Sequence, residues 1–253
     1  MRLDAATPGR PPRGLSSPSV RLKYGLDRVV SFLALTVLLP LFAVVAVAIK
    51  LDSRGPVFFR QTRPGRKGEY FRVFKLRTMI DKAELFGLGK EVSRNDERIT
   101  RVGKWLRLSS LDEAPQLMNV LLGQMSLVGP RPAAPHHLEL YTPHQRRRLE
   151  AKPGLTGWAQ VNGRNSLSWD ERIELDVWYV DHWSLWLDLK IVLHTPRALL
   201  DREGIYGLDG VTTDLGKSAD VAPRADPERG SDPMRDDLTG DREGPDTSPD
   251  EGV

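Results

Sequence analysis

Residues 29–49, VVSFLALTVLLPLFAVVAVAI, form a run of 21 residues without a charge. A helix of about 20 apolar residues matches the hydrocarbon thickness of a bilayer. A core helix of a soluble domain would carry a polar stripe, and this run is apolar on every face. The chain is therefore expected to enter a membrane here. Pro40 stands mid-run and removes an i→i−4 hydrogen bond, so a kink is expected there. Arg21, Lys23 and Arg28 precede the run, and Lys50, Arg54 and Arg60 follow it. Charge on both flanks gives the positive-inside rule no direction to choose. If both flanks are cytoplasmic, the segment is a re-entrant helix–break–helix that turns at Pro40. The competing topology is a single span with the large domain cytoplasmic. The run starts too far from Met1, and without a small-residue cleavage site, to be a signal peptide.

Charge divides the remainder. From residue 214 to the end there are twelve acidic and five basic residues, a net of −7, which leaves +10 on residues 1–213. Residues 1–20, rich in Pro, Gly, Arg and Ser, read as a disordered basic arm, and residues 214–253 as a disordered acidic tail. Between them, residues 21–213 form one membrane-anchored domain. A basic body suits nucleic acid, anionic lipid or a phosphorylated substrate. Cysteine is absent, which excludes disulfides, thiol catalysis and Cys-based zinc sites.

After the apolar run, PVFFRQ and YFRVFKL flank the basic turn RPGRKG, the pattern of a β-hairpin. Lys75 and Arg77 alternate with Phe74 and Leu76, so one face of it is cationic. Residues 81–93 are polar and uninformative. Within residues 98–108, Ile99, Val102 and Leu106 recur at helical spacing among Arg101, Lys104 and Arg107. A basic amphipathic helix next to a membrane segment suits an interfacial position. His136 and His137 are adjacent and converge poorly for a metal, so they read as surface. Residues 152–165, KPGLTGWAQVNGRN, form a turn-rich loop that offers amide donors to a polar ligand. Residues 169–189 carry Trp169, Trp178, Trp183 and Trp186, with Ile173, Asp176, Tyr179 and Val180 at helical spacing. These rings suit either core packing or a bilayer interface. A further amphipathic segment follows, interrupted near Pro196.

The stretch with most chemistry is residues 107–132, RLSSLDEAPQLMNVLLGQMSLVGPRP. The adjacent acids Asp112 and Glu113 are bracketed by Arg107 and Arg131. Ser110 and Glu113 have the spacing of a capping box. Pro115 is tolerated only in a first helical turn, so a helix is expected to start within residues 110–112 and end at Gly123. Gly129 and two prolines hold Arg131 in a rigid loop. Two carboxylates among arginines can hold a divalent metal and phosphates.

Taken in order, several segments resemble the bacterial sugar transferases, specifically the monotopic polyprenyl-phosphate phosphoglycosyl transferases. They are Lys23 and Asp27 ahead of the helix with Pro40, then GPVFFRQTRPG, FRVFKLRTM, SLDEAPQLMNVLLGQMSLVGPRP, KPGLTGWAQVNGRN and LDVWYVDHWSLWLDLKI. They cover about residues 20–200. The resemblance implies an α+β, mainly helical fold: a re-entrant membrane helix–break–helix, interfacial amphipathic helices and a small β-hairpin, with no multi-span bundle before it. It implies transfer of a sugar 1-phosphate from a UDP-sugar donor to undecaprenyl or another polyprenyl phosphate, with release of UMP and a requirement for Mg²⁺. Such a step opens the assembly of exopolysaccharide, O-antigen, capsule or glycoprotein glycans at the cytoplasmic face of the bacterial inner membrane. By position, Asp112 becomes the nucleophile and Glu113 its dyad partner, both facing the metal. Arg107, Arg131, Lys75 and Arg77 would face phosphates, and Asp176 and Tyr179 would belong to the site. A helix N-terminus at Asp112 would keep the nucleophile ionised. The lipid bilayer is a partner, nucleic acid is not, and a homodimer is allowed. Two positions depart from the pattern: Leu39 where small members often have Ser, and Lys23-Tyr24 where Lys-Arg is typical. A different class of function, a non-catalytic membrane-tethered basic adaptor for anionic lipid or nucleic acid, would explain the basic body but not the acid pair or the two rigid loops.

Overall fold

The computed structural model describes residues 18–83, 96–163 and 166–200. The basic arm up to residue 17, most of the polar stretch 81–93, Arg164 and Asn165 of the turn-rich loop, and the acidic tail lie outside them. The described chain is mainly helical with two small sheets. Helix α1 runs Pro18–Asp52, uninterrupted through Pro40. Strands β1 (Phe58–Pro64) and β2 (Tyr70–Leu76) pair antiparallel, from Phe58 opposite Leu76 to Pro64 opposite Tyr70, as the hairpin pattern predicts. Helix α2 (Arg101–Leu108) leads into a 3-10 helix, Leu111–Gln116, and then α3 (Leu117–Leu121). Strand β3 (Ser126–Val128) pairs in parallel with β4 (Gly154–Thr156). Short helices α4 (His137–Leu140) and α5 (Pro143–Arg146) lie between them. Helix α6 (Trp158–Val161), α7 (Trp169–His182) and α8 (Leu185–Leu200) complete the order.

Both ends of α1 pack on the globular body, and its middle does not. Val20, Lys23, Asp27 and Ser31 recur on one face and are buried. Val20 joins a core with Tyr179, Val180, Leu187 and Ile191. At the other end Val45 and Ile49 pack against Leu76 and Leu106. Between these anchors Phe32, Leu33, Val37, Leu39 and Val44 are exposed. Among the described residues, α1 is the one helix long and apolar enough to cross a membrane.

The ends are locked by polar contacts that water would otherwise weaken. Lys23 Nζ donates to Asp188 Oδ2 at 2.7 Å and to the Val128 carbonyl at 3.1 Å. Tyr179 and Trp183 also donate to Asp188, at 2.7 and 3.1 Å. Ser126 Oγ donates to Asp27 at 2.6 Å. At the far end Asp52 accepts from the Val102 amide at 2.9 Å, satisfying a donor in the first turn of α2. Arg77 donates to the carbonyls of Ile49, Ser53 and Arg54, where a cation complements a helix C-terminus.

Several expectations shift. Arg98 and Ile99 precede α2: Thr100 caps the helix, accepting from Gly103 N at 3.0 Å, and Ile99 bridges Met79 instead. The capping box at Ser110 does not form. Ser110 has φ +56, its hydroxyl caps nothing, and the turn that follows is 3-10 with Pro115 inside it. Helix α8 continues through Pro196, which deletes one hydrogen bond without ending the helix. His137 is fully buried rather than at the surface, with its ring edge-on to Trp169 at 4.5 Å. The tryptophans split between the two roles. Trp178 stacks between Trp158 and His182, at 5.2 and 4.3 Å, while Trp186 is 73 % exposed.

Candidate active site

The site forms where β2, the 3-10 helix and the loop after β3 meet. Its register depends on Asn119, a polar residue inside the apolar run LMNVLL and fully buried. Its amide mimics a strand backbone: Oδ1 accepts from Phe74 N at 3.0 Å and Nδ2 donates to the Arg72 carbonyl at 2.8 Å. That tie fixes α3 and the preceding 3-10 helix against β2. Lys75 then meets Glu113, Nζ to Oε1, at 2.7 Å.

Arg131 closes on the same carboxylate from the other side. Its Nη2 lies 2.6 Å from Oε1 and its Nη1 3.1 Å from Oε2, a bidentate fork. The loop that carries Arg131 is pinned by its backbone. Gly129 N donates to the Thr156 carbonyl and Gly154 N to the Pro130 carbonyl, both at 2.9 Å. Gly129 and Gly154 stand back to back here; a Cβ on Gly154 would lie 2.1 Å from Gly129 N. Arg107 is held from the opposite side, Nε to Thr78 Oγ1 at 2.9 Å. Gly103 permits that approach, because a Cβ there would stand 2.0 Å from the Thr78 carbonyl oxygen.

The two acids are in unlike states. Glu113 is saturated by Lys75 and Arg131. Burial works against its charge, but Arg131 and Lys75 outweigh that and hold it well below the usual carboxylate range. Asp112 makes no hydrogen bond or ion pair with a described residue. Burial, and then the charge of Glu113, pushes it up to about 6 against the opposing charges of Lys75, Arg107 and Arg131. The expected helix dipole therefore does not hold the Asp112 carboxyl down: the turn is 3-10 and desolvation dominates. The result is one occupied carboxylate and one open carboxylate, side by side beneath three cations. A cleft lined by Arg63, Lys75, Glu113, Gln116 and Arg131 opens beside them.

The other expected site residues lie apart. Arg77 is buried beneath the end of α1, engaged by its carbonyls, and does not face the cleft. Tyr179 is buried with Asp188 and Lys23. Asp176 is buried against Arg148, whose guanidinium also reaches the Arg131 carbonyl. Arg107, Asp112, Glu113, Lys75 and Arg131 do converge. Sequence reasoning missed Thr78, Asn119, Arg148 and Asp188. A lone Asn in an apolar run was a usable signal for Asn119; the others announce themselves only through partners distant in sequence.

No group of three or more His, Cys, Asp or Glu able to hold a metal occurs among the described residues. Asp112 and Glu113 form a smaller donor set. Of the two, Asp112 is open to Mg²⁺, which takes one or two carboxylates, keeps waters and completes its shell with substrate phosphates; Glu113 can join it as Arg131 leaves.

Residues 19–202 match the family described as bacterial sugar transferase. The chain is 47 % identical over 191 residues to an uncharacterized sugar transferase, EpsL, of Bacillus subtilis (strain 168), covering 76 % of this chain and 92 % of that one. It is 46 % identical over 192 residues to a UDP-glucose:undecaprenyl-phosphate glucose-1-phosphate transferase of Caulobacter vibrioides, covering 72 % and 70 %. It is 44 % identical over 198 residues to an undecaprenyl-phosphate glucose phosphotransferase of Komagataeibacter xylinus. There the match covers 73 % of this chain and 37 % of the longer relative.

Proposed function

The chain belongs to the bacterial sugar transferases, and we propose that it moves a sugar 1-phosphate from a UDP-sugar to a membrane polyprenyl phosphate, releasing UMP. The observation that carries this reading is the asymmetry of the acid pair: Asp112 open, Glu113 saturated by Lys75 and Arg131. The names of the Caulobacter vibrioides and Komagataeibacter xylinus relatives supply the substrate classes.

In the first half-reaction an Asp112 carboxylate oxygen attacks the sugar-proximal phosphorus. A bond from Oδ to phosphorus forms, and the bridging bond to the other phosphate breaks, so UMP leaves with the electron pair. Arg107, Arg131 and Lys75 stabilise the charge that gathers on the leaving phosphate. Arg131 can pass its fork from Glu113 to phosphate oxygens because its side chain is half exposed. In the second half-reaction an oxygen of the polyprenyl phosphate attacks the same phosphorus. The bond to Asp112 breaks, the carboxylate returns, and a polyprenyl diphosphate sugar forms. Asp112 and Glu113 would hold Mg²⁺, which supplies further neutralisation of the pyrophosphate oxygens.

The acceptor is a lipid, so the site must stand at headgroup height. Both ends of α1 are bound to one body through buried polar contacts, while its middle exposes apolar side chains. Outside α1, no described helix is long and apolar enough to cross. These facts support an α1 that enters and leaves on one side of the bilayer over a single span, because a span would separate two ends that share one body. A nucleotide-sugar donor puts the catalytic domain on the cytoplasmic face of the inner membrane, where nucleotide sugars reside. Sugar choice belongs to the segment around Gly154 to Asn165, rich in groups that can bond a polar ligand.

The test uses the full chain in lipid nanodiscs with polyprenyl phosphate, Mg²⁺ and a panel of UDP-sugars. UMP release from at least one donor is expected, and Asp112→Asn should abolish it. Silence of the wild-type protein across the panel would refute the transferase reading. Full activity in Asp112→Asn would refute the covalent route alone.

A further inference from the structure

We propose that Arg148 and Asp176 are positioning residues for Arg131, acting on its backbone and not on the substrate. The inference rests on the reading of Arg131 as a phosphate-facing group. Arg148 and Asp176 are 3 % and 2 % exposed, so neither can meet a ligand in the cleft. Arg148 spends its fork in three directions. Nη2 donates to Asp176 Oδ2 and, at 2.9 Å, to the Arg131 carbonyl; Nη1 donates to the Tyr141 hydroxyl.

The demand for such a support is visible at Arg131 itself. Its side chain is 50 % exposed, so packing does not fix it. In this structure the fork rests on Glu113, and once it passes to phosphate its precision comes from the backbone. Pro130 and Pro132 restrict that backbone on either side but supply no amide donors. Before Arg131 the loop is tied at Gly129 and Pro130, to Thr156 and Gly154. The Arg148 bond ties the Arg131 carbonyl itself, on the side leading out of the loop. Without it the next anchor on the exit side is Ala133, packed in the apolar core two residues on. A displacement of about 1 Å in a substrate-positioning group costs on the order of a hundredfold in rate.

Energetics point the same way. Two charges withdrawn from water recover little stability, and apolar replacements of a buried ion pair are often neutral or stabilising. Nearby Ala133, Tyr141, Ile173 and Val177 form an apolar core that would accept such replacements. An ion pair placed in that core, with Nη2 shared between Asp176 and the carbonyl of Arg131 and Nε left buried without a hydrogen bond, fits a requirement for geometry better than one for stability. It also gives Asp176 a place: it orients Arg148, and Arg148 holds Arg131.

The test is a cycle on the full chain in nanodiscs, read by binding of pyrophosphate with Mg²⁺, by UMP release and by thermal unfolding. The paired replacement Arg148→Met with Asp176→Leu is made with Arg131 intact and again with Arg131→Gln. With Arg131 intact, the pair should unfold cooperatively, bind pyrophosphate about tenfold more weakly and lose about a hundredfold in kcat. In the Arg131→Gln background the same replacement should cost nothing further in binding or rate. Arg148→Lys keeps the ion pair but loses the fork, so it should fold normally and still lose affinity; it carries the test if the paired variant does not fold. Equal losses in both backgrounds, or wild-type pyrophosphate binding in Arg148→Lys, would overturn the proposal. A wild-type protein that binds pyrophosphate but releases no UMP would sink the transferase reading and leave the binding cycle readable.

Discussion

Two clusters in this molecule each gather polar donors around a carboxylate and are left in opposite states. Under the first turns of α1, Asp188 accepts from Lys23, Tyr179 and Trp183, and all three bonds are 3.1 Å or shorter. Beside the cleft, Asp112 accepts from no described residue although the charges of Lys75, Arg107 and Arg131 act on it. Both clusters put carboxylates beside cations. The first is closed, and each added donor deepens its commitment to structure. The second leaves one carboxylate without partners, which costs stability and makes it available for bond formation. Partnering, more than residue type, separates a structural cluster from a reactive one.

Substitutions can break that contrast, beginning with the largest effect. Asp112→Asn should lower UMP release by on the order of 10⁴-fold or more, as loss of a nucleophile does. Its melting temperature should hold or rise, because a half-buried carboxylate without partners has been removed. A fall of several degrees would show that Asp112 is structural after all. Lys23→Met should do the converse. It leaves Asp188 buried without its cation, a loss of about 3–5 kcal/mol, read as a drop of roughly 10 °C in melting temperature. Arg131→Gln should cost on the order of 10²–10³ in kcat, since it removes one preorganised donor, with a modest fall in melting temperature because Glu113 loses the first of the two cations that hold it ionised.

A smaller effect comes from pH. Asp112 must be ionised to attack, and burial beside Glu113 pushes it up to about 6. The pH profile of kcat/KM should therefore fall below about 6, with activity at pH 5 about tenfold under the plateau. Its sign in stability is opposite. A carboxyl raised from 3.8 to about 6 on folding contributes stability below its unfolded value and loses it as pH rises through about 6. A profile flat from pH 5 to 8 would contradict the burial of Asp112.

Much of the site is legible in the amino-acid sequence. The acid pair, the flanking arginines and Lys75 stand in segments whose order is itself informative, and the fold brings them together around Asp112 and Glu113. The hairpin and the long apolar helix follow from short-range patterns, and both form. What failed were assignments that depend on distant partners. Arg77 looks like a cation on a strand face, yet it serves the carbonyls of a helix end more than twenty residues upstream. Tyr179 looks like a site residue, yet it belongs to a cluster joined by Lys23 and Asp188, which are 165 residues apart in sequence. Ser110 has capping-box spacing, but its left-handed backbone removes the hydroxyl from the turn it should cap. Local pattern gives propensity, whereas the state of a charge depends on what the fold brings to it.

Gly103 carries a genetic consequence. Its missing side chain lets α2 lie on the backbone of Thr78, the residue that holds Arg107. A single methyl group there meets a carbonyl, which cannot rotate aside as a flexible side chain would. The Gly103→Ala allele should therefore behave as a conditional lesion. Cells carrying it would form the lipid-linked sugar at low temperature and lose it on warming, although every residue that touches substrate is intact.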